Sequence, residues 1–375
     1  DRPPVVSLHK ILYANASDIL YPVGVHNFSD LDTIPVKLEA YEMNNAEKAV
    51  LTQTENIVIS SSDHAEIPFK LNLKPGEYHI KVSTLGASAE GQLGVEANEG
   101  ECRLYETDLN GDGIMEYRME NDSVMVTLLT TGARVIEYIV KSREDNVLFK
   151  IWPEKAPDDH RPFRKRGFYP YGGFEDFLGQ GSMETHRIYD ARVVKKDGEF
   201  VQVIMNTDYY GNKLQKTFTL YGNSPLLEVR FALDFKNPEA NVIGPQPILE
   251  LGEKHWHEDV FICNTTEGLQ EYRMREEDYY GGIIWLQEGW NAGYDTEADV
   301  NFVGAFPVDQ PLYLHMWMNH PRNKESHHYY VEFQPWVPII QKNIFYFTYY
   351  LWGSGGAWEN GVEELLSLIH ISEPT

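Results

Sequence analysis

Oxygen donors recur at alternate positions in the stretch "DLNGDGIMEYRMEN". Side-chain oxygens stand at Asp108, Asn110, Asp112 and Glu116, and the Ile114 carbonyl falls in the same series. Calcium takes six to eight hard oxygen ligands, and Gly113 sits where such a loop must turn sharply. In an EF-hand the twelfth loop position carries a bidentate Glu, but here it is Met119. Glu116, in the ninth position, closes the shell of a shortened loop instead. The expectation is a structural Ca²⁺ held by a loop that leads into a strand, without flanking helices. The alternative is an Asx-rich hairpin turn that needs no ion, since Asn-Gly and Asp-Gly form turns by themselves.

Other residues could do acid–base work. In "EKHWHED", His255 and His257 share a face if the segment is a strand, because strand side chains alternate. With Glu258 they offer metal ligands, but two ligands close in sequence do not make a site. The carboxylate pairs Glu175/Asp176 and Glu258/Asp259 could serve a glycosidase. In so acidic a chain, a solvated or salt-bridged surface pair is the favoured reading. His327 and His328 alternate faces on a strand and cannot line one pocket. The basic run "RPFRKRGFYPYGG", with Arg164 inside it, could grip uronate or sulfate by bidentate contacts, or clamp onto the protein's own carboxylates. Trp256, Trp285, Trp290, Trp317, Trp336 and Trp352 could stack on sugar C–H faces, yet a wide sandwich core would take most of them. No G-x-S-x-G elbow, P-loop or dinucleotide fingerprint occurs.

Bulk properties narrow the classes. The 375 residues carry 57 acids against 32 bases, a net charge of −25. That field repels phosphate backbones and anionic lipid, which argues against nucleic-acid and membrane-surface roles. The 42% apolar content supports a sizeable core, and no apolar run is long enough to span a bilayer. Cys102 and Cys263 are the two cysteines and fit either one disulfide or two buried thiols. N-x-[ST] triplets at Asn15, Asn27, Asn121 and Asn264 lean towards an extracellular or cell-surface home, as does a chain opening at "DRPPVV" like a processed form.

The elements that must position these residues read as strands almost throughout. "VVSLHKIL", "ILYPVGVHNF", "IPVKLEAYEM", "NIVIS", "AEIPFKLNL", "GEYHIKVSTL" and "GQLGVEA" are short, rich in β-branched and aromatic residues, and bounded by turn signals. About seven strands in about a hundred residues is the count of an immunoglobulin-like sandwich. "LNLKPGEYHIKVST" resembles the Pro-Gly corner of microbial cell-surface immunoglobulin-like modules. A boundary is expected in "EANEGEC", giving a first domain over 1–98 and a second over 99–366. The second continues in strands such as "ARVIEYIVKS", "LLEVRFAL", "LYLHMWM" and "IFYFTYYLW", and only "GVEELLSL" has helical periodicity. So many strands call for a large two-sheet sandwich, and the fold class is all-β.

Three segments carry a family resemblance. "ENDSVMVTLLTTGARVIEYIVKSREDNVLFK", "YPYGGFEDFLG" and "YYVEFQPWVPI" resemble the opening strands, the Gly-Gly loop and the late catalytic strand of galactose-mutarotase-like supersandwich domains, over roughly 103–353. The resemblance implies a sugar site on the concave sheet face. It makes Glu332 the counterpart of the catalytic Glu and puts Tyr171 beside the Gly pair, where the family has a His. Glu175, His186, His255 and His257 are the remaining acid–base candidates, with Arg164, Tyr171, Trp256 and Trp336 for substrate contacts. The functional expectation is a poly- or oligosaccharide-binding or accessory protein. A glycosidase, lyase or epimerase comes next, and a structural surface-layer component third. The tail "SLIHISEPT", 367–375, resembles a translated sequencing-library adapter, as in a metagenomic fragment, and is set apart from the fold.

Overall fold

The computed structural model describes residues 2–15, 19–97, 100–109, 111, 113, 115–148, 173–178, 187–209, 211–234, 242–250, 256–273, 279–307, 313–319, 330–338 and 344–369. The chain is all-β, with one α-helix, Trp358–Leu368, among these residues.

The first strands form a sandwich of eight, one more than the sequence count. One sheet orders Val5–Leu8, Ile19–His26 and His64–Leu71. The other orders Ile11–Asn15, Ala87–Glu96, Gly76–Thr84, Thr33–Glu42 and Leu51–Val58. Alternation builds its core: Ile34, Val36, Leu38 and Ala40 are buried on one strand, and Tyr41 and Met43 lie in the outward phase. "VVSLHKIL" breaks at His9–Lys10, and its two halves join opposite sheets.

The larger sandwich is antiparallel in every pairing among the described residues. One sheet runs from Cys102–Thr107 through Glu116–Glu120, Val124–Leu129, Arg134–Val140, Phe174–Leu178, Val242–Glu250 and Tyr330–Pro338 to Tyr313–Asn319. The other runs from Asp190–Lys195 through Phe200–Tyr209, Asn212–Tyr221, Leu227–Asp234 and Ile344–Gly355 to Val300–Ala305. The long Tyr279–Asp295 strand belongs to both. Its first half pairs with Tyr313–Asn319, and its second half with Val260–Thr265 and Val300–Ala305. Facing side chains of the two layers share one core, with Phe174 against Tyr349 and Phe261 against Phe333. Gly173 is required at its place. Its φ is +78°, and a Cβ there would lie 1.9 Å from the Val135 carbonyl oxygen.

Cys102 and Cys263 are separate buried thiols, each pushed up to about 12 by burial. Asn27 and Asn121 are buried, and their amides donate to backbone carbonyls, so neither triplet is open to a glycan. The helix expected at "GVEELLSL" is present, and Ile369 is buried beyond its end. The start of the segment set apart as a tail therefore packs with the fold, and residues 370–375 lie outside the described residues. None of the described helices is long and apolar enough to cross a membrane.

Candidate functional site

Strand phase builds one polar and aromatic row on the outer face of the first sheet. In Tyr313–Asn319, Leu314, Met316 and Met318 enter the core, so Tyr313 and His315 face outward. In the long strand Ile284 and Leu286 are buried, while Ile283 and Trp285 are 56% and 51% exposed. In Tyr330–Pro338, Val331, Phe333 and Val337 are buried inward, which turns Gln334 and Trp336 to the same outer face.

Register then aligns these strands. His315 pairs with Gln334 on one side and Ile283 on the other; Tyr313 pairs with Trp336 and Trp285. The rings follow: Trp285 to Tyr313 at 5.7 Å, Tyr313 to His315 at 5.6 Å, and His315 to Trp336 at 5.9 Å between centroids. One strand further, the register sets Gln246 opposite Gln334, and Gln246 pairs with Glu175. Gln334 is buried and its amide donates to the Gly244 carbonyl at 3.1 Å, which fixes its side chain. The Trp336 indole N–H is buried and finds no hydrogen-bond partner among the described residues. Burial lowers the His315 pKa, so its imidazole is neutral near pH 7.

The expected residues divide. Trp336 belongs to the row. Glu332 pairs with Ile248 and Trp317, in phase with Gln334 and Trp336, and Glu175 lies on the same sheet. For Glu175 and Glu332 the description stops at the backbone. Trp256 and His257 sit elsewhere, in a one-turn 3₁₀ helix, Trp256–Glu258. The alternation that gave His255 and His257 one face does not apply to such a turn, and His257 is exposed, 3.8 Å from Glu258. Asp259 is buried, so Glu258/Asp259 is not a surface pair. Asp176 is no surface acid either. It points into the core and pairs with Lys216, at 2% and 1% exposure. Arg164, Tyr171, His186 and His255 lie outside the described residues.

Sequence reading missed His315, Tyr313 and Gln334. The signal was present in "LYLHMWM", where apolar Leu314, Met316 and Met318 alternate with Tyr313, His315 and Trp317.

In the acidic loop, both Asp108 oxygens accept backbone N–H groups, from Gly111 at 2.7 Å and Gly113 at 2.9 Å. Glu116 is fully buried and accepts the Leu109 N–H at 2.7 Å. The strands on either side, Cys102–Thr107 and Glu116–Glu120, pair with each other, so the loop closes a hairpin. Asn110, Asp112 and Ile114 lie outside the described residues.

No family model matches the sequence, and no curated protein matches it. Among solved structures, a TPR-domain containing protein from Parabacteroides distasonis is similar over 78% of this chain and 51% of its own, at 12% identity and a TM-score of 0.48. A galactose mutarotase related enzyme from Lactobacillus acidophilus is similar over 65% of this chain and 98% of its own, at 12% identity and a TM-score of 0.45. For a galactose mutarotase-like protein from Lactobacillus casei the figures are 64%, 99%, 11% and 0.40. The chain thus spans about half of the first of these and nearly all of the other two. The all-β class rests on the strand pairing itself.

Proposed function

We propose that this chain binds poly- or oligosaccharide on the outer face of the first sheet of its larger sandwich, as a secreted or surface accessory protein. The observation that carries this reading is the row Trp285, Tyr313, His315 and Trp336, flanked by Gln334 and Gln246. A sugar ring presents C–H faces to aromatic rings and hydroxyls to amides and ring nitrogens. The row offers rings and the His315 ring nitrogens within one register, over the buried Gln334 and Gln246, and the buried Trp336 N–H calls for an acceptor such as a hydroxyl oxygen. The resemblance of residues 103–353 to galactose-mutarotase-like domains directs attention to the same sheet. Titration with a polysaccharide panel tests it. Trp336→Ala is expected to weaken binding about tenfold or more, roughly 1.4 kcal/mol. Equal affinity in wild type and variant would end the assignment.

A second reading is supported by one feature. His315, kept neutral by burial, sits on the strand next to Glu332, and a neutral imidazole near a carboxylate is the pair that sugar-ring opening needs. In that case the protein speeds anomer interconversion of free aldoses, and His315→Asn lowers the rate by about 10²–10⁴-fold. Polarimetry of freshly dissolved galactose or glucose reads this directly. Binding without rate enhancement leaves the accessory role.

The acidic loop belongs to the same proposal as a structural Ca²⁺ site. Asp108 and Glu116 stand at the two ends of the loop and both accept its backbone N–H groups, and a carboxylate offers about four lone-pair positions. Asn110, Asp112 and the Ile114 carbonyl would supply the remaining oxygens. The same hydrogen bonds would close an ion-free Asx turn, so the measurement decides. Calorimetric titration of chelator-treated protein is expected to show one Ca²⁺ per chain, lost in Asp112→Ala. Heat that is absent, or unchanged in the variant, leaves a plain turn.

A further inference from the structure

The two sandwiches meet over the outer face of the second large sheet, and they do not close there. The contact is firm along Leu227–Asp234 and Ile344–Gly355. Ser7 donates to the Ile344 carbonyl at 2.7 Å, and His9 meets Thr348 at 3.0 Å. The Tyr346 hydroxyl donates to Glu66 at 2.6 Å, and His64 pairs with Asp234 at 2.7 Å. Beside this seam, over Phe200–Tyr209 and Asn212–Tyr221, a cleft of about 420 Å³ remains between the sandwiches. Ligand sites fall in this size range and favour such interfaces.

The floor of the cleft is mixed, with the Gln202 and Gln215 amides set by strand phase among apolar Phe200, Ile204 and Ala232. Gln202 pairs with Thr219, and two residues along on each strand Ile204 pairs with Thr217. The Gln202 amide donates to Thr219 Oγ1 at 3.0 Å, and the Gln215 amide donates to Asn206 at 3.0 Å. Each amide keeps a carbonyl oxygen that can accept a hydrogen bond. The two lips are apolar. Leu20 of the small sandwich is 58% exposed, and Val194 of the large one is 44% exposed.

The charges lining the cleft are engaged. Arg230 pairs with Glu228 at 2.5 Å, and Lys195 pairs with Glu199 at 2.5 Å. Glu66 holds the Tyr346 hydroxyl. His9 is held well below its ordinary pKa by burial and then by the Arg230 guanidinium, so it is neutral. An anion would meet a chain of net charge −25 with both cationic groups of the lining already paired. A cation would meet only the Glu66 carboxylate, already bonded. A purely apolar molecule would cover the remaining hydrogen-bonding capacity of the Gln202 and Gln215 amides, at a cost of about 1–3 kcal/mol each.

We propose that this cleft is a second ligand site, for a neutral ring that carries hydroxyls on its edge and C–H groups on its face, a mono- or disaccharide. Hydroxyls meet the Gln202 and Gln215 amides, while the C–H faces lie between Leu20 and Val194. The ligand would touch both sandwiches at once. The site is independent of the tryptophan row, which lies on the other sheet.

The test uses the full chain with galactose, glucose, lactose and maltose, each to about 10 mM, by calorimetry and saturation-transfer NMR. That ceiling detects a Kd of about 1 mM or tighter. In Trp336→Ala, with the other face disabled, at least one of these sugars is expected to bind one per chain. Joint Gln202→Ala and Gln215→Ala changes then weaken it about tenfold, and so does Leu20→Lys at the exposed lip, with an unchanged unfolding midpoint. Absence of binding in Trp336→Ala, or binding indifferent to all three cleft changes, overturns the proposal. Sugar binding lost in Trp336→Ala alone keeps the first site and removes this one. Binding lost only in the cleft variants does the reverse.

Discussion

Replacing Lys216 with Met is expected to lower the unfolding free energy by about 3–5 kcal/mol, the cost of stranding a buried charge. Lys216 and Asp176 are almost completely enclosed and pair directly. The Lys216 ammonium also donates to the Gly132 carbonyl at 2.6 Å and lies over the Tyr189 ring at 4.9 Å. Met fills a similar volume but carries no charge, so the Asp176 carboxylate loses its cation in a low-dielectric core. The double change Lys216→Met with Asp176→Leu removes both charges and is expected to recover most of the loss, because no buried charge is left uncompensated and the Gly132 carbonyl loses its donor equally in both variants. Guanidinium unfolding of the single and double variants checks this. Equal destabilisation in both would mean that packing, not charge, holds the strand. The outcome bears on the sugar site, since Asp176 adjoins Glu175 on the Phe174–Leu178 strand of that sheet. With the clamp gone, sugar binding at the tryptophan row is expected to weaken while Trp336 itself is untouched.

Stability is expected to fall as the pH rises from about 4 to about 7, with Asp259 as a main cause. Burial pushes Asp259 up to about 7; Asp295 and Glu297 add to this, while N–H and O–H donation from Thr296 works against it. Burial, then Asp295 and Glu250, pushes Asp145 up to about 6. In the unfolded chain these carboxyls ionise near their ordinary value of about 3.9. Between the two values the folded state binds more protons than the unfolded state, so the favourable protonated form is progressively lost as pH rises. Asp259→Asn keeps an oxygen for both Thr296 donors and removes the charge. It is expected to raise stability at pH 8 by about 1–2 kcal/mol, after discounting for screening, and to leave stability at pH 4 nearly unchanged. Paired unfolding curves at the two pH values read the difference. A variant that gains nothing at pH 8 relative to pH 4 would show that Asp259 ionises without cost.

The pattern of the chain reached the tryptophan row only in part. Trp336 and Glu332 were found because "YYVEFQPWVPI" resembles a family's late strand, while His315 carried no such flag. Its partners Gln334 and Ile283 lie 19 and 32 residues away in sequence, and a histidine in a strand means little until its cross-strand neighbours are known. The Glu175/Asp176 pair shows the same limit. Adjacent carboxylates on a strand must face opposite sides, but the sequence does not say that Lys216 waits on the inner side. Of the tryptophans expected mostly in the core, Trp290 and Trp352 are buried, and Trp285 is an exposed exception.

What the sequence determined by itself was the all-β class and the position of most strands, because burial on a pleated ribbon imposes a period of two that survives in residue order. Ile34, Val36, Leu38 and Ala40 display it without any knowledge of their partners. The C-terminal helix was legible for the same reason, through its own period. Only the tertiary structure decided the split of "VVSLHKIL" between two sheets and the use of Tyr279–Asp295 by both layers. It also decided the one-turn helix at Trp256–Glu258, the register that lines up Tyr313, His315, Gln334 and Trp336, and the cleft beside the interdomain seam. Each of these depends on pairing between segments far apart in the chain. Alternation fixes which face of a strand is buried, but not which strand lies next to it.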